Sequence, residues 1–287
     1  MKDTPDTREI DLSDWIGRHD TSLGCVSAEQ AAMVHATLSA PGAAPQTGDA
    51  LPALWHWCGF APAVGMEDLG PDGHPRAAGI MPPIPLERRM WASGALTFHA
   101  PLHVGEVLSR RSTVSDIVQK QGGAMYFVTL THEISGAHGL AICERQNIVY
   151  LRIPDTFVPP RKLAAPTEPT IAELVPVNQA LLFRYSAITF NAHRIHYDMP
   201  YASEVERYPG LVVHGPMQAT LLMQMATQAK GRAPDSFEFR AVHPMFHFDD
   251  LRLLATPGED GALALCTASP DGHQGLQATA KWEEPTS

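Results

Sequence analysis

Residues 216–229, PMQATLLMQMATQA, constrain the fold more than any other part of this 287-residue chain. The run carries no charged side chain, and apolar or small residues occupy most of its faces. A helix of that kind does not lie on a surface; it must be wrapped on several sides. Pro216 suits its first helical position, where a missing N–H leaves no hydrogen bond unmade. The wrapping has to come from sheet, because sheet is what most of the remaining sequence offers.

From Gly94 onward the pattern is one of alternating, β-branched runs. Residues 96–106 (LTFHAPLHVGE) and 107–121 lead to the turn Gly122-Gly123. Residues 124–134 (AMYFVTLTHEI), a turn over 135–139 and residues 140–152 then complete an antiparallel meander. Residues 153–171 carry Pro154, Pro159, Pro160, Pro166 and Pro169, the composition of a stiff linker. Beyond it, 237–254, 262–268 and 276–282 read as strands, with turns at 257–261 and 270–275. Both halves therefore close with a long strand, a glycine turn, a strand, a second glycine turn and a final strand. Identity between them is weak, so the duplication rests on element order alone. The expected division is 1–152, a linker over 153–172, and 173–287. Within the first part, Ser27 is placed to cap a helix over 27–40, with Gln30 in the capping-box position and Pro41-Gly42 ending it. Leu51 to Phe60 is an apolar patch holding Trp55 and Trp57. Residues 62–85, rich in Gly and Pro, read as a long irregular loop or lid. Residues 1–11 read as a loose tail.

Composition narrows the function classes. Hydrophobic residues make up 44% and charged residues 18%, as in a globular protein. A formal net charge of -10 argues against a general binder of nucleic acid or anionic membrane. The four cysteines, Cys25, Cys58, Cys143 and Cys266, are scattered, so neither a zinc knuckle nor a disulfide framework is expected. No apolar leader and no bilayer-length run appear, and a cytoplasmic location is expected.

Chemistry concentrates in residues 183–226. Asn191, His193, His196 and Asp198 form a polar cluster. The apolar stretch 211–213 then runs into His214-Gly215-Pro216 at the start of the central helix. A titratable group beside a glycine-led helix start supplies a proton shuttle and an oxyanion site. A single histidine is more often structural than catalytic. Three of them, His193, His196 and His214, stand before one helix start, and His193 retains the structural reading. Asp198 reads as a local hydrogen-bond anchor, and Met217, Met223 and Met225 as core. Arg88-Arg89, ahead of Trp91, with Arg184 and Arg194, are candidate contacts for phosphate or carboxylate. Arg110-Arg111 reads as a solvated strand edge. No metal-ligand spacing and no phosphate-binding glycine loop stands out.

FNAHRIHYD together with VVHGP resembles the MaoC-like (R)-specific enoyl-CoA hydratases and dehydratases. The nearest likeness is to their double hot-dog branch with a FAS1-like dehydratase N-terminal half. That branch includes mitochondrial hydroxyacyl-thioester dehydratases and bacterial mesaconyl-C4-CoA and itaconyl-CoA hydratases. ERRMWASGALTFHAPLHVGE and KQGGAMYFVTLTHEI resemble the N-terminal half. The family motif Asp-x-Asn-Pro-x-His-x-Asp falls on residues 191–198, matching at His196 and Asp198. It departs at Asn191, where the family has aspartate, and at His193-Arg194, where it has Asn-Pro. The family glycine at the helix start matches Gly215.

The resemblance implies an α+β double hot-dog, two antiparallel sheets each wrapped around a central helix, with a catalytically silent N-terminal half. It implies hydration of a short, branched, dicarboxylic enoyl-CoA, with no cofactor beyond the coenzyme A of the substrate and a homodimer by analogy. His196 would be the general acid/base, Asn191 the water positioner and Gly215 the oxyanion donor. His193, Arg194, Asp198, His214, Arg88, Arg89 and Trp91 would contact substrate. The alternatives are an (R)-3-hydroxyacyl-thioester dehydratase of longer chains, a thioesterase on the same fold, and a non-catalytic acyl-CoA binder.

Overall fold

The computed structural model describes residues 11–76 and 79–284. The tail expectation for residues 1–11 falls almost wholly outside this range. The described residues contain ten strands and three α-helices. In chain order these are β1 (His19–Gly24), α1 (Ala28–Leu38), β2 (Arg88–Phe98), β3 (Leu108–Lys120), β4 (Met125–Gly136) and β5 (Gly139–Leu151). They continue with β6 (Ile171–Val175), α2 (Gln179–Ile188), α3 (Gly215–Lys230), β7 (Ser236–Ala241), β8 (Leu251–Pro257), β9 (Leu263–Ala268) and β10 (Gln274–Lys281).

All ten strands form one sheet, in the order β1-β3-β4-β5-β2-β7-β10-β9-β8-β6. This corrects the expectation of two separate sheets. The union is made by β2 and β7, which pair antiparallel from Ser93↔Arg240 to Thr97↔Ser236. Each strand would otherwise be the exposed edge of its half, and pairing satisfies both rows of backbone groups. Read outward from this seam, the two halves have the same order: β2-β5-β4-β3-β1 and β7-β10-β9-β8-β6.

The central helix is α3. It packs on β7, β8, β9 and β10 and buries residues on most of its faces, including Met217, Leu222, Met223 and Met225. α1 is not an equivalent of it. It has 11 residues, leaves Met33 exposed, and packs mainly on α2 and the 3-10 turn Trp55–Gly59. Ser27 does cap α1, its side chain accepting from the Gln30 amide. The return arm of a capping box is absent. The Gln30 Nε2 instead donates to the carbonyls of Cys58 (2.7 Å) and Ile188 (3.2 Å), tying α1 to the end of α2.

Three sequence boundaries need correction. β2 begins at Arg88 rather than after Gly94, and most of LTFHAPLHVGE is the connection to β3. The stretch 237–254 is two strands, β7 and β8, separated by residues 242–250. The linker is not free: Ala165 N donates to Gly272 O and Gln274 N to Leu163 O, each at 2.9 Å, and β6 already begins at Ile171.

The seam leaves no room for a side chain at Gly94, where a Cβ would sit 2.6 Å from the ring of buried Phe239. Overpacking of this kind costs about 1–3 kcal/mol. Gly94→Val is expected to lower unfolding stability by that amount in urea titrations.

Candidate active site

Local backbone chemistry sets the site. Asn178 caps α2 by accepting from Leu181 N at 2.9 Å. The helix ends at Thr189, and Phe190, at φ 52°, turns the chain out of it. The Asn191 Oδ1 then accepts from His193 N at 3.0 Å, an Asx turn that starts the 3-10 turn Arg194–His196. Asp198 Oδ1 accepts from Tyr201 N at 3.1 Å and opens the π-helical turn Tyr201–Val205. The returning segment closes on this turn, with Val212 N donating to Ile195 O at 2.9 Å.

The result is a row of four imidazoles. His74 lies 4.1 Å from His193, His193 lies 5.4 Å from His196, and His196 stacks on His214 at 3.6 Å between centroids. Each ring is anchored. His196 Nδ1 is 2.8 Å from the Val212 carbonyl, which can only accept, so Nδ1 carries the hydrogen and Nε2 keeps a lone pair. His74 Nδ1 likewise donates to Asp72 Oδ2 at 2.9 Å. His193 Nε2 faces Glu206 Oε1 at 3.3 Å. His214 Nε2 meets Ser186 Oγ at 2.9 Å, and its Nδ1 is buried without a partner.

Burial and mutual repulsion decide the charge states. Burial, then the neighbouring His214 and His193, hold His196 well below the usual imidazole range. Burial takes His214 down to about 3, with His193 adding to it. His74 falls to about 4, burial outweighing the help of Asp72. Burial works to raise Asp72, but the hydrogen bond and charge of His74 win and hold it at about 2. At neutral pH His196 is therefore a neutral imidazole with an available lone pair, the form a general base requires.

The oxyanion side is the start of α3. His214 is the N-cap residue and makes no side-chain cap, and Pro216 follows Gly215. A Cβ placed on Gly215 would meet nothing within 4 Å, so there is open space at the first helical amide. Uncapped N–H groups at the positive end of a 16-residue helix suit a developing negative charge.

The other anticipated contacts are distributed differently. Asn191 uses one acceptor position of its amide oxygen on its own turn. His214 is fully buried behind His196 and supports it. Arg194 grips Asp198 Oδ2 through Nε (2.9 Å) and Nη2 (2.8 Å) and lies over Tyr201. It also holds the loop: Nη1 donates to Pro71 O and its backbone N to Asp72 O, both at 2.9 Å. Arg194 and Asp198 are thus a clamp rather than a free anion site. Arg88 is 7% exposed and bound to Glu206, so its charge is already balanced. Trp91 faces the seam, edge-on to Trp57 (4.9 Å) and Phe239 (5.6 Å), with Nε1 donating to Ser93 O. Arg89 is half-buried, and no carboxylate of the described residues is in ion-pair range of it.

Sequence reasoning missed Asp72, His74, Ser186 and Glu206. The Asp-Gly-His turn inside the Gly/Pro loop was a signal for the first two; nothing local marks Glu206 as buried. Donor atoms of Asp72, His74 and His193 come within 4.8 Å of one another, the spacing of a loose metal cluster. Asp72 Oδ2 and His193 Nε2 are engaged with His74 and Glu206, and Arg88 and Arg89 stand beside the group. The geometry is that of a charge-balanced hydrogen-bond network.

A cavity of about 530 Å³ lies further along α3. Both halves line it, through Trp55, His56 and Phe98 on one side and Thr220, Met223 and Gln224 on the other. His56 is itself held at 3.3 Å by buried Glu144. Thr220 is five residues past Gly215, about 7.5 Å along the helix axis.

Comparison with known proteins shows the family. The family model for hydroxyacyl-thioester dehydratase type 2 matches residues 54–247. The mesaconyl-C(4)-CoA hydratase of Chloroflexus aurantiacus is 43% identical over 279 residues, covering 93% of this chain and 96% of that protein. Among solved structures, HtdX of Mycobacterium tuberculosis aligns with a TM-score of 0.67 at 18% identity, over 93% of this chain and all of that one. A second M. tuberculosis protein, described as a double hotdog fold, aligns at 0.54 and 14% identity over 92% and 95% of the two chains. These last two show a shared fold.

The buried imidazoles make stability depend on pH. A histidine whose folded pKa is lowered stays neutral in the fold while its unfolded form takes a proton. The stability it permits is full above about 6.5 and is lost as pH falls toward the folded value. His196 and His214 are each expected to cost about 1 kcal/mol at pH 5.5 relative to pH 7.5. Calorimetry across that range should show the melting temperature falling on acidification, with a shallower slope in His214→Gln.

Proposed function

Because the chain belongs to the hydroxyacyl-thioester dehydratase type 2 family, we propose that it is a hydro-lyase adding water across the α,β double bond of a short dicarboxylic enoyl-CoA. The observation that carries this reading is the fixed tautomer of His196 beside the uncapped start of α3. Its Nδ1–H is held by Val212 and its lone pair is available next to the open space at Gly215.

Hydration then follows from the geometry. Water loses a proton to His196 Nε2 as its oxygen attacks Cβ. Negative charge moves onto the thioester oxygen, where the Gly215 amide and the helix dipole stabilise it. Cα then collects a proton. Water release, the reverse reaction, uses the same groups. The reaction draws on no cofactor beyond the coenzyme A of the substrate. A mesaconyl-C4 or itaconyl acyl group fits the similarity to the Chloroflexus enzyme, and half-buried Arg89 is a cation that a substrate carboxylate could meet. The cavity shared by the halves supports an N-terminal half that shapes the substrate tunnel without performing chemistry. A cytoplasmic homodimer completes the reading. A second reading is dehydration of a longer (R)-3-hydroxyacyl thioester, with the cavity along α3 from Thr220 onward as room for the chain.

One assay decides among these activities. With mesaconyl-CoA, itaconyl-CoA and crotonyl-CoA, enoyl absorbance and free thiol are followed together. Loss of the enoyl band without thiol release is expected; thiol release would mean a thioesterase. His196→Gln should lower kcat by about 10²-fold or more, the usual range for a general acid/base. Retention of most activity in that variant would remove His196 from the mechanism. Gly215→Ala should keep the wild-type melting temperature, since its Cβ has room, and lower kcat/KM about tenfold by crowding the oxyanion site.

A further inference from the structure

Asn191 leaves a vacancy in the proton chemistry. A carboxamide does not exchange protons at neutral pH, and its oxygen accepts from the His193 amide. Two carboxylates reach the histidine row, Asp72 through His74 at its end and Glu206 through His193, the ring edge-on to His196. Resting on the hydratase reading of this site, we propose that His193, backed by Glu206, is the second proton-transfer residue, delivering the proton to Cα while His196 takes one from water.

The geometry is that of a carboxylate-backed imidazole. Glu206 is 1% exposed, and its Oε1 stands 3.3 Å from His193 Nε2. It cannot swing away. Arg88 Nε donates to Glu206 Oε2 at 3.0 Å, and Arg88 Nη2 donates to the Glu206 carbonyl at 2.6 Å. Arg88 is fixed in turn over the Tyr208 ring at 4.6 Å. A carboxylate on one ring nitrogen sets the tautomer and stabilises the charge that appears when the other nitrogen is protonated. For His193 that other nitrogen is Nδ1. The ring stands edge-to-face with His196 at 5.4 Å and an interplanar angle of 87°.

The two rings have unlike surroundings. His196 has a neutral carbonyl behind it and another imidazole stacked on it. His193 has a carboxylate behind it. Environments that differ in this way divide acid from base. The charged and titratable groups facing His193 are Glu206 and Arg88 on one side, Asp72 and His74 with nearby Arg89 from the loop, and His196 with His214 behind it.

The step balances without any further reagent. One water O–H bond breaks and one O–Cβ bond forms. The π electrons move to the thioester enolate, and the water proton goes to His196 Nε2. The enolate then takes the proton of the His193 imidazolium at Cα. Passage of one proton from His196 to His193 restores the starting state.

The test uses the full chain with an enoyl-CoA that the wild type hydrates. His193→Gln, Glu206→Gln and the pair Arg88→Met with Glu206→Gln are compared for kcat, KM, pH profile and melting temperature. In the hydration direction His193 must be protonated, so His193→Gln should lose the alkaline limb of the kcat profile, with kcat down about 10²-fold and KM within threefold. His196→Gln should lose activity throughout. Glu206→Gln should move the alkaline limb to lower pH and lower kcat about tenfold or more. It leaves Arg88 buried and unpaired, so its stability falls as well. The double variant removes both charges and should recover the melting temperature but not kcat. The proposal is overturned if His193→Gln keeps kcat within threefold and an unchanged profile, or if the double variant recovers kcat together with stability. Either result leaves the hydratase reading intact when His196→Gln is inactive. A wild type that hydrates none of the enoyl thioesters overturns both.

Discussion

The pairing of β2 with β7 is the constraint on which the rest depends. It makes one sheet of two and thereby fixes how the N-terminal half meets the candidate site. β2 has 11 residues, and only Ser93 to Thr97 take part in the seam. Its first residues run past the end of β7, and that overhang carries Arg88 to Glu206. A hydrogen-bonded ladder has no slack, since a shift of one residue would turn every side chain to the other face. The guanidinium is therefore placed by strand register, and the orientation of His193 follows from it.

Burial then sets the character of the imidazoles. Four rings in a row could not coexist as cations, and exclusion from water makes neutrality cheaper still. Each ring is tied through one nitrogen to a carboxylate, a carbonyl or a hydroxyl, although His214 Nδ1 stays buried without a partner. Part of the enclosure is supplied by the loop before β2. Gly73, at φ 89°, packs so closely on the Ala192 carbonyl that a Cβ could not fit, and Arg194 holds Pro71 and Asp72 from the other side. Residues 71–73 of an irregular segment are thus tied to the helix–turn element by backbone and side-chain contacts.

What could be read from sequence was whatever depends on local pattern. The charge-free run after Pro216 announced the central helix because no surface could accept it. Ser27 announced the start of α1, since a hydroxyl there has one profitable partner. The proximity of His196 to the start of α3 was legible because the family motif and the His214-Gly215-Pro216 element lie close in sequence. What failed was decided by distant partners. Gln30 looked like the second arm of a capping box and bonds to Cys58 and Ile188 instead. Arg88 and Trp91 looked like ligand contacts, whereas one is balanced by a glutamate 118 residues away and the other fills the seam. Asp72 and His74 sit in a segment whose composition reports irregularity and nothing about where it docks. The union of the sheets was equally invisible, because edge strands and internal strands have the same alternation.

The identical strand order on either side of the seam has an evolutionary implication. β2 and β7 occupy equivalent places, so their antiparallel contact has the form of a two-fold interface between like subunits, here within one polypeptide. A true pair of identical subunits must carry every residue twice, and any substitution strikes both sites at once. Fusion removes that restriction. One copy can keep the long wrapped helix and three of the four imidazoles, while the other, with no helix of that length among its described residues, lends His74 to the row and a wall to the cavity. The asymmetry of this molecule is what a symmetric architecture gains when its two halves no longer share a single sequence.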